Sequence, residues 1–208
     1  MIMLAFSLAL ALSLQDAPAP DTPPVIDAAP ADEAAPDAAP QTRSSRDSLP
    51  RRLDERLGAL GATQSSDEAE PIAAQIRSLW RQLGGPTAAL LLDRGAESAA
   101  RGELGDASRQ YFHLRNLEPE LSEAWMVSAE IAIAQDDWEF ALEALERAVA
   151  IEPRRFDAYV MLARALERAD AAQGALAAYE AALAIHPHEE TALNGQARLE
   201  RALAGRAL

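Results

Sequence analysis

Three prolines in the second half of the chain are separated by a constant interval of 34 residues. They are Pro119, Pro153 and Pro187, and each follows a large aliphatic residue and a polar one. Five further sets of residues keep the same interval of 34. Two sets consist of large residues, namely Leu91, Trp125, Tyr159 and Leu193 in one and Tyr111, Leu145 and Tyr179 in the other. Two sets consist of small residues, namely Gly95, Ala129 and Ala163 in one and Ala107, Ala141 and Ala175 in the other, and the last set is Leu114, Ala148 and Ala182. A period that persists over several such sets indicates stacked supersecondary units, because each unit buries its apolar face only against its neighbours.

This pattern resembles the tetratricopeptide repeat (TPR), a helix–turn–helix unit of 34 residues with an aromatic residue at position 4 and proline at position 32. The resemblance implies an all-α fold, namely a right-handed solenoid of antiparallel helix pairs. We expect repeats at 88–121, 122–155 and 156–189, and a polar capping helix at 190–208. Small residues at positions 8 and 20 let the two helices of a unit approach closely, and the proline ends the second helix. The first unit departs from the pattern, since Arg94 replaces the usual leucine at position 7.

Three shorter stretches carry a narrower resemblance. Leu90–Gly95, Ile151–Phe156 and Ile185–His188 are similar to segments of short exported TPR proteins of alphaproteobacteria. This second resemblance implies the same fold, together with export from the cytoplasm.

The chain begins with an apolar run. Ile2–Leu14 is interrupted only by two serines and is too short for a comfortable membrane span. Its length is typical of a signal-peptide core, and Ala9 to Ala11 offers small residues for cleavage. We therefore predict a signal peptide at residues 1–15 and a periplasmic location. Because no Lys or Arg precedes the run, two alternatives stay open: an uncleaved inner-membrane anchor and a wrongly assigned start.

Residues 16–49 are rich in Ala, Pro and Asp, and eight of the thirteen prolines of the chain lie before residue 51. Repeated proline prevents helix formation and favours an extended backbone. The segment also lacks the apolar content that a core requires. We predict a disordered linker that acts as a spacer.

Helical periodicity begins after this linker, within residues 50–85. Aliphatic residues recur at helical spacing in two successive stretches. Ser66 precedes two acidic residues, as is typical of a helix start, and Gly84-Gly85-Pro86 is a strong stop signal. We predict an antiparallel helix pair that is either a diverged repeat or an N-terminal cap.

Composition excludes several kinds of function. The formal net charge of −14 disfavours a nucleic-acid partner, because phosphate binding needs a basic surface. The absence of cysteine excludes disulfides, thiolate chemistry, zinc–thiolate sites and a lipoprotein anchor. His186 and His188 lack further ligands at suitable spacing, and no catalytic motif is present. We expect no metal, no cofactor, no catalytic residue and no enzymatic activity.

The resemblance also indicates a surface for a partner, since the first helix of each repeat lines the concave groove of the class. The residues at the groove positions are apolar in the middle of the repeat array, and arginines follow towards its C-terminal end. The expected groove residues are Leu92, Met126, Val127, Glu130, Ile133, Val160, Met161, Arg164, Arg168, Asn194 and Arg198. Two interpretations are open for the apolar members: they contact a partner, or neighbouring helices cover them.

These features predict a non-enzymatic protein–protein interaction module or scaffold of the periplasm, which binds a peptide or a helix in the groove. The alternative is a TPR assembly factor tethered to the inner membrane by an uncleaved N-terminal anchor. In both cases the partner is a protein or a peptide, and no small-molecule substrate is evident. Membrane contact is expected only through the N-terminal segment, if that segment is uncleaved.

Overall fold

A computed structural model describes residues 48–206, and this part of the chain is helical throughout. The predicted signal peptide and most of the predicted linker lie outside the described residues. No helix in residues 48–206 is both long and apolar enough to cross a membrane. The helices are α1 (Leu49–Gly61), α2 (Ser66–Gln82), α3 (Pro86–Ala100), α4 (Leu104–Leu117), α5 (Ser122–Ala134), α6 (Trp138–Ile151), α7 (Phe156–Arg168), α8 (Ala172–Ile185) and α9 (Glu190–Arg206).

The first two helices form an antiparallel hairpin with its own apolar seam. Leucines of α1 and the residues Ala73, Ile76 and Leu79 of α2 are buried together. The second helix begins after Ser65, whose hydroxyl accepts a hydrogen bond from the backbone N–H of Glu68 at 3.4 Å. Such an N-cap satisfies one of the free donors in the first turn, and acidic residues there favour the helix dipole.

Three helix pairs follow, and the two helices of each pair meet at small residues. Ala129 and Ala141 of the second pair are fully buried, as are Ala163 and Ala175 of the third. In the first pair Gly95 is required, because a Cβ atom there would lie 2.1 Å from the ring of Tyr111. The pairs are α3–α4, α5–α6 and α7–α8, and consecutive pairs stack through α4 on α5, α6 on α7 and α8 on α9.

The turn inside each pair uses the same backbone conformation at the same repeat position. Gly102, Asp136 and Asp170 have φ angles of 78°, 63° and 57°, which lie in the left-handed region. Glycine reaches this region without strain, and aspartate tolerates it better than most residues. Asp137 then caps α6 by accepting a hydrogen bond from the backbone N–H of Phe140 at 3.2 Å. The tight turns predicted between paired helices are therefore local sequence features.

Proline ends the second helix of every pair. The residue before each proline adopts an extended φ angle, which is −131° at Glu118, −127° at Glu152 and −124° at His186. The proline ring disfavours the helical conformation of the preceding residue, so the helix stops there. We call the connections 118–121, 152–155 and 186–189 the inter-repeat turns.

The α1–α2 hairpin does not add a further layer in front of α3 but lies along the inter-repeat turns. Asp54 of α1 forms an ion pair with Arg154 at 2.6 Å. Nε2 of His188 lies 2.9 Å from the carbonyl oxygen of Thr63, in the connection between the two hairpin helices. The hairpin therefore contacts the second and third inter-repeat turns at once, which a stacked repeat could not do.

The last helix covers the end of the stack. Ala192 and Leu199 are buried against α8, whereas Thr191 and Arg201 are exposed. Gly195 permits this contact, because a Cβ atom there would lie 2.3 Å from the ring of Tyr179. A terminal helix with a polar outer face is what a repeat stack needs for solubility.

The repeat register predicts the effect of filling one close contact. We expect Ala141→Trp to lower the free energy of unfolding by about 1–3 kcal/mol or more, because the indole cannot fit where α5 and α6 meet. Ala150→Trp is the matched control, since Ala150 is exposed on the same helix. Urea denaturation of both variants measures the difference. Equal stability of the two variants would show that the register is misplaced.

Candidate functional site

The first helices of the three pairs and the capping helix form the inner face of the stack, which we define as the exposed side of α3, α5, α7 and α9. Their side chains are close enough to interact along this face. Arg198 of α9, for example, contacts the carboxylate of Glu167 of α7 at 2.6 Å. The face is therefore continuous across the last two units.

The hairpin covers one end of these helices. Arg81 of α2 lies 3.7 Å from Asp93 of α3 and 4.0 Å from Glu123 of α5. Trp80 is fully buried, with its ring centroid 5.6 Å from that of Phe156 at the start of α7. The hairpin therefore covers α3 near Asp93 and the first turns of α5 and α7, and a partner must approach the rest of the inner face.

A buried arginine organises the covered end. Arg155 is 2% exposed, and its guanidinium donates to the carboxylate of Glu123 at 2.6 Å and to that of Asp157 at 3.1 Å. Its guanidinium carbon lies 4.7 Å from the ring centroid of Trp80. Burial lowers the pKa of Arg155, but the charges of Asp157 and Glu123 outweigh it and raise the pKa above the usual value. The guanidinium stays charged and joins three helices.

Four of the apolar groove candidates are packed inside the stack. The exposed fraction is 2% at Leu92, 4% at Met126 and at Val127, and 9% at Val160. Met126 and Val160 belong to the cluster between the second and third pairs, and Leu92 and Val127 to the cluster between the first and second. For these four, neighbouring helices provide the cover, which is the second of the two interpretations given above.

The remaining apolar candidates reach the surface in part. Ile133 and Met161 are half-buried. Met161 packs at the margin of the cluster between the second and third pairs. These two side chains offer a small apolar contact area to a partner.

The charged and polar candidates are exposed, but they differ in their partners. Arg168 is committed to the preceding repeat, with an ion pair to Asp136 at 3.2 Å and its guanidinium carbon 4.6 Å from the ring centroid of Trp138. Glu130 is exposed, yet partial desolvation, followed by the charges of Glu123 and Asp157, raises its pKa. Arg164 and Asn194 are exposed, and Arg164 has no ion pair with any residue in the described range.

Three of the groove candidates, Arg164, Asn194 and Arg198, line one pocket between α7 and α9. Its volume is about 630 Å³. The lining residues are Arg164, Glu167, Tyr179, Glu190, Thr191, Asn194 and Arg198. Two cations, one amide and two carboxylates, the half-buried Glu167 and the exposed Glu190, can therefore contact the same ligand.

Glu167 sets the charge of this pocket, and sequence reasoning missed it. Its carboxylate accepts a hydrogen bond from the hydroxyl of Tyr179 at 2.7 Å and pairs with Arg198. Burial and the neighbouring carboxylate raise the pKa of Tyr179 to about 12. Since Glu167 neutralises Arg198, the cation left for a ligand is Arg164. Glu167 occupies position 12 of the third repeat, a groove position at which the second repeat has Ile133, so the signal was available.

Metal binding finds no support in the described range. No group of three His, Asp or Glu residues between 48 and 206 is placed to hold a metal ion. His186 is buried in the third inter-repeat turn, and His188 faces the hairpin.

Comparison with solved structures identifies the architecture. The TPR domain of Sgt2 from Aspergillus fumigatus superposes with a TM-score of 0.55 at 22% identity, over 59% of this chain and 83% of that domain. The first TPR of Spaghetti (RPAP3) bound to the HSP90 peptide SRMEEVD gives 0.55 at 21% identity, over 58% and 96%. This chain has the TPR fold. The second TPR domain of human RPAP3, in complex with the HSP70 peptide SGPTIEEVD, gives 0.52 at 16% identity, over 55% and 95%.

A curated relative agrees with the TPR assignment. A TPR repeat-containing protein of Rhizobium etli is 28% identical over 119 residues, which cover 57% of this chain and 58% of the relative. The chain thus spans less than two thirds of the length of that relative. No family model matches the sequence. The predicted TPR resemblance and the all-α solenoid are confirmed.

The different burial of the groove candidates leads to a stability prediction. Met126→Ala should lower the free energy of unfolding by about 2–5 kcal/mol, because it leaves a cavity between the second and third pairs. Arg164→Ala removes an exposed side chain and should change it by no more than about 0.5 kcal/mol. Thermal and urea denaturation of the two variants test this contrast. A Met126 variant as stable as the Arg164 variant would place Met126 on the surface.

Proposed function

We propose that this TPR chain is a non-enzymatic protein-binding module, which holds a peptide bearing a carboxylate at the α7–α9 end of its inner face. The observation that carries the proposal is the pocket that Arg164 and Asn194 both line with exposed side chains, with Arg164 free of any ion pair in the described range. A guanidinium binds a carboxylate through parallel hydrogen bonds, and an amide can both donate to and accept from a peptide backbone.

The burial of the apolar centre shapes this proposal. Since Met126 and Val160 are packed inside, an amphipathic helix would find little apolar surface to cover. Ile133 and Met161 are half-buried, so they supply a modest apolar contact on the same inner face. An extended peptide needs fewer apolar anchors than a helix, because it also uses its backbone groups.

The comparisons support the class of ligand. Two of the similar TPR domains are described in complex with peptides, SRMEEVD in one and SGPTIEEVD in the other. Both peptides are acidic at their C-terminal ends. These domains share only the fold with this chain, so the residues that contact the peptide here are argued from Arg164 and Asn194 alone.

The proposed location is the periplasm. It rests on the apolar run Ile2–Leu14 and the proline-rich stretch that follows, both of which lie outside the described residues. The alternative is an inner-membrane assembly factor that keeps this run as its anchor. In that case the same inner face would bind its partner at the membrane surface.

A peptide-library selection tests the binding site. Seven-residue peptides with free C-termini, acidic and neutral, are presented to the wild-type chain, to Arg164→Ala with Asn194→Ala, and to Arg109→Ala with Asn116→Ala. The second pair removes the same residue types from exposed positions on α4. We expect acidic peptides to be enriched by the wild type and by the α4 control, with affinity for the α7–α9 variant reduced roughly tenfold or more. Equal enrichment by all three proteins, or none by the wild type, would contradict the proposal.

Mass spectrometry of the mature chain from the native envelope tests the location. We expect an N-terminus near residue 16, in the soluble periplasmic fraction, because the apolar run has the length of a signal-peptide core. An intact Met1 in the membrane fraction would contradict the periplasmic proposal and support the anchored alternative.

A further inference from the structure

Three rings pack together where the hairpin contacts the repeats, and we call them the ring cluster. Trp80 of α2 packs against Phe156 in a tilted arrangement, with ring centroids 5.6 Å apart. His186, from the third inter-repeat turn, meets the same Phe156 edge-on with centroids 5.0 Å apart. All three side chains are buried. The imidazole therefore forms one wall of the site that receives the hairpin.

Two nitrogen atoms in this ring cluster have no hydrogen-bond partner in the described part of the chain. They are Nε1 of Trp80 and Nδ1 of His186, and between residues 48 and 206 they are the buried side-chain nitrogen and oxygen atoms left unsatisfied. A buried polar atom without a partner lowers the stability of the contact that buries it. The hairpin is therefore held less firmly than its apolar contacts alone would provide.

The charges around His186 come from the hairpin and from its own turn. Glu70 and Arg77 face it from α2, and His188 lies two residues further along the turn. Burial lowers the pKa of the imidazole, Glu70 opposes this change, and Arg77 and His188 reinforce it. The docked hairpin thus favours the neutral imidazole.

We propose that the α1–α2 hairpin is a pH-sensitive clasp on the inter-repeat turns, which is released when His186 gains a proton. Protonation places a buried cation against Phe156 and beside the positive charge of Arg77, and the charge of Glu70 offsets this cost only in part. Release of the hairpin returns the imidazole to water and removes this cost. Release also uncovers Arg155 and the first turns of α5 and α7, which the hairpin otherwise covers.

The direction of the pH effect follows from the two states. An exposed histidine titrates near pH 6.5, and the docked one titrates lower. The docked state therefore has its full stability above about pH 6.5 and loses stability as the pH falls from there towards the docked pKa. Carboxylates ordinarily titrate near pH 4, so between about pH 7.5 and about pH 5.5 they contribute little. Glu130 is the exception, because its pKa is raised, and the histidine variants below distinguish its contribution.

Hydrogen exchange of the full chain, read by mass spectrometry and corrected for the intrinsic rate, measures the release. Between about pH 7.5 and about pH 5.5 we expect protection of residues 49–82 to fall by up to about tenfold, the limit for one histidine over this range. Protection of α6 and α8 should stay unchanged. Loss of protection in all helices together, or no loss in the hairpin, would overturn the proposal.

The three histidines of the chain provide matched variants. His186→Leu keeps an apolar side chain against Phe156 but cannot titrate, so it should abolish the pH dependence of protection. His186→Gln is a second variant that cannot titrate, for use if the leucine variant folds poorly. His113→Gln, exposed on α4, should leave the pH dependence intact. His188→Gln alters the contact with Thr63 and removes one of the charges that lower the pKa of His186, so it should lower protection at both pH values and reduce the pH dependence without abolishing it. A pH dependence that survives in both His186 variants, or disappears in His113→Gln, would overturn the assignment.

Discussion

One buried guanidinium joins the separate parts of this molecule. Arg155 follows the helix-ending Pro153, and from there it reaches Glu123 of α5, Asp157 of α7 and the ring of Trp80 of α2. A charge with so little exposure is tolerated only when every partner is in place, because an unpaired buried charge is strongly destabilising. The packing of the third repeat on the second and the position of the hairpin therefore both depend on the guanidinium of Arg155.

The sequence predicts the repeats well, because each rule there is local. A proline stops a helix whatever surrounds it, and the left-handed turn falls on Gly102, Asp136 and Asp170 at one repeat position. The sets of small residues fix the faces on which helices meet, so Gly95 against Tyr111 follows from the pattern. Helix order, turn positions and the polar cap could all be predicted from periodicity.

The position of the hairpin and the exposure of the groove could not be predicted in the same way. The spacing of the leucines in α1 predicts an amphipathic helix but does not indicate which surface of the repeats it packs against. Arg155 looks like an ordinary charged turn residue until the fold brings Trp80 beside it. Met126 occupies a groove position, yet its burial depends on how closely the next pair approaches. The position of the hairpin and the exposure of the groove both arise from contacts between segments that are distant in the sequence. The repeat register carries no information about such contacts.

Arg155 couples the hairpin to the repeats through the ring of Trp80, and a double-mutant cycle measures that coupling. Arg155→Lys keeps the charge but loses the planar group that stacks on the ring, and Trp80→Leu keeps an apolar side chain without the ring. We expect the effects of the two substitutions on the free energy of unfolding to depart from additivity by about 0.5–3 kcal/mol. Additivity within roughly 0.3 kcal/mol would contradict this coupling.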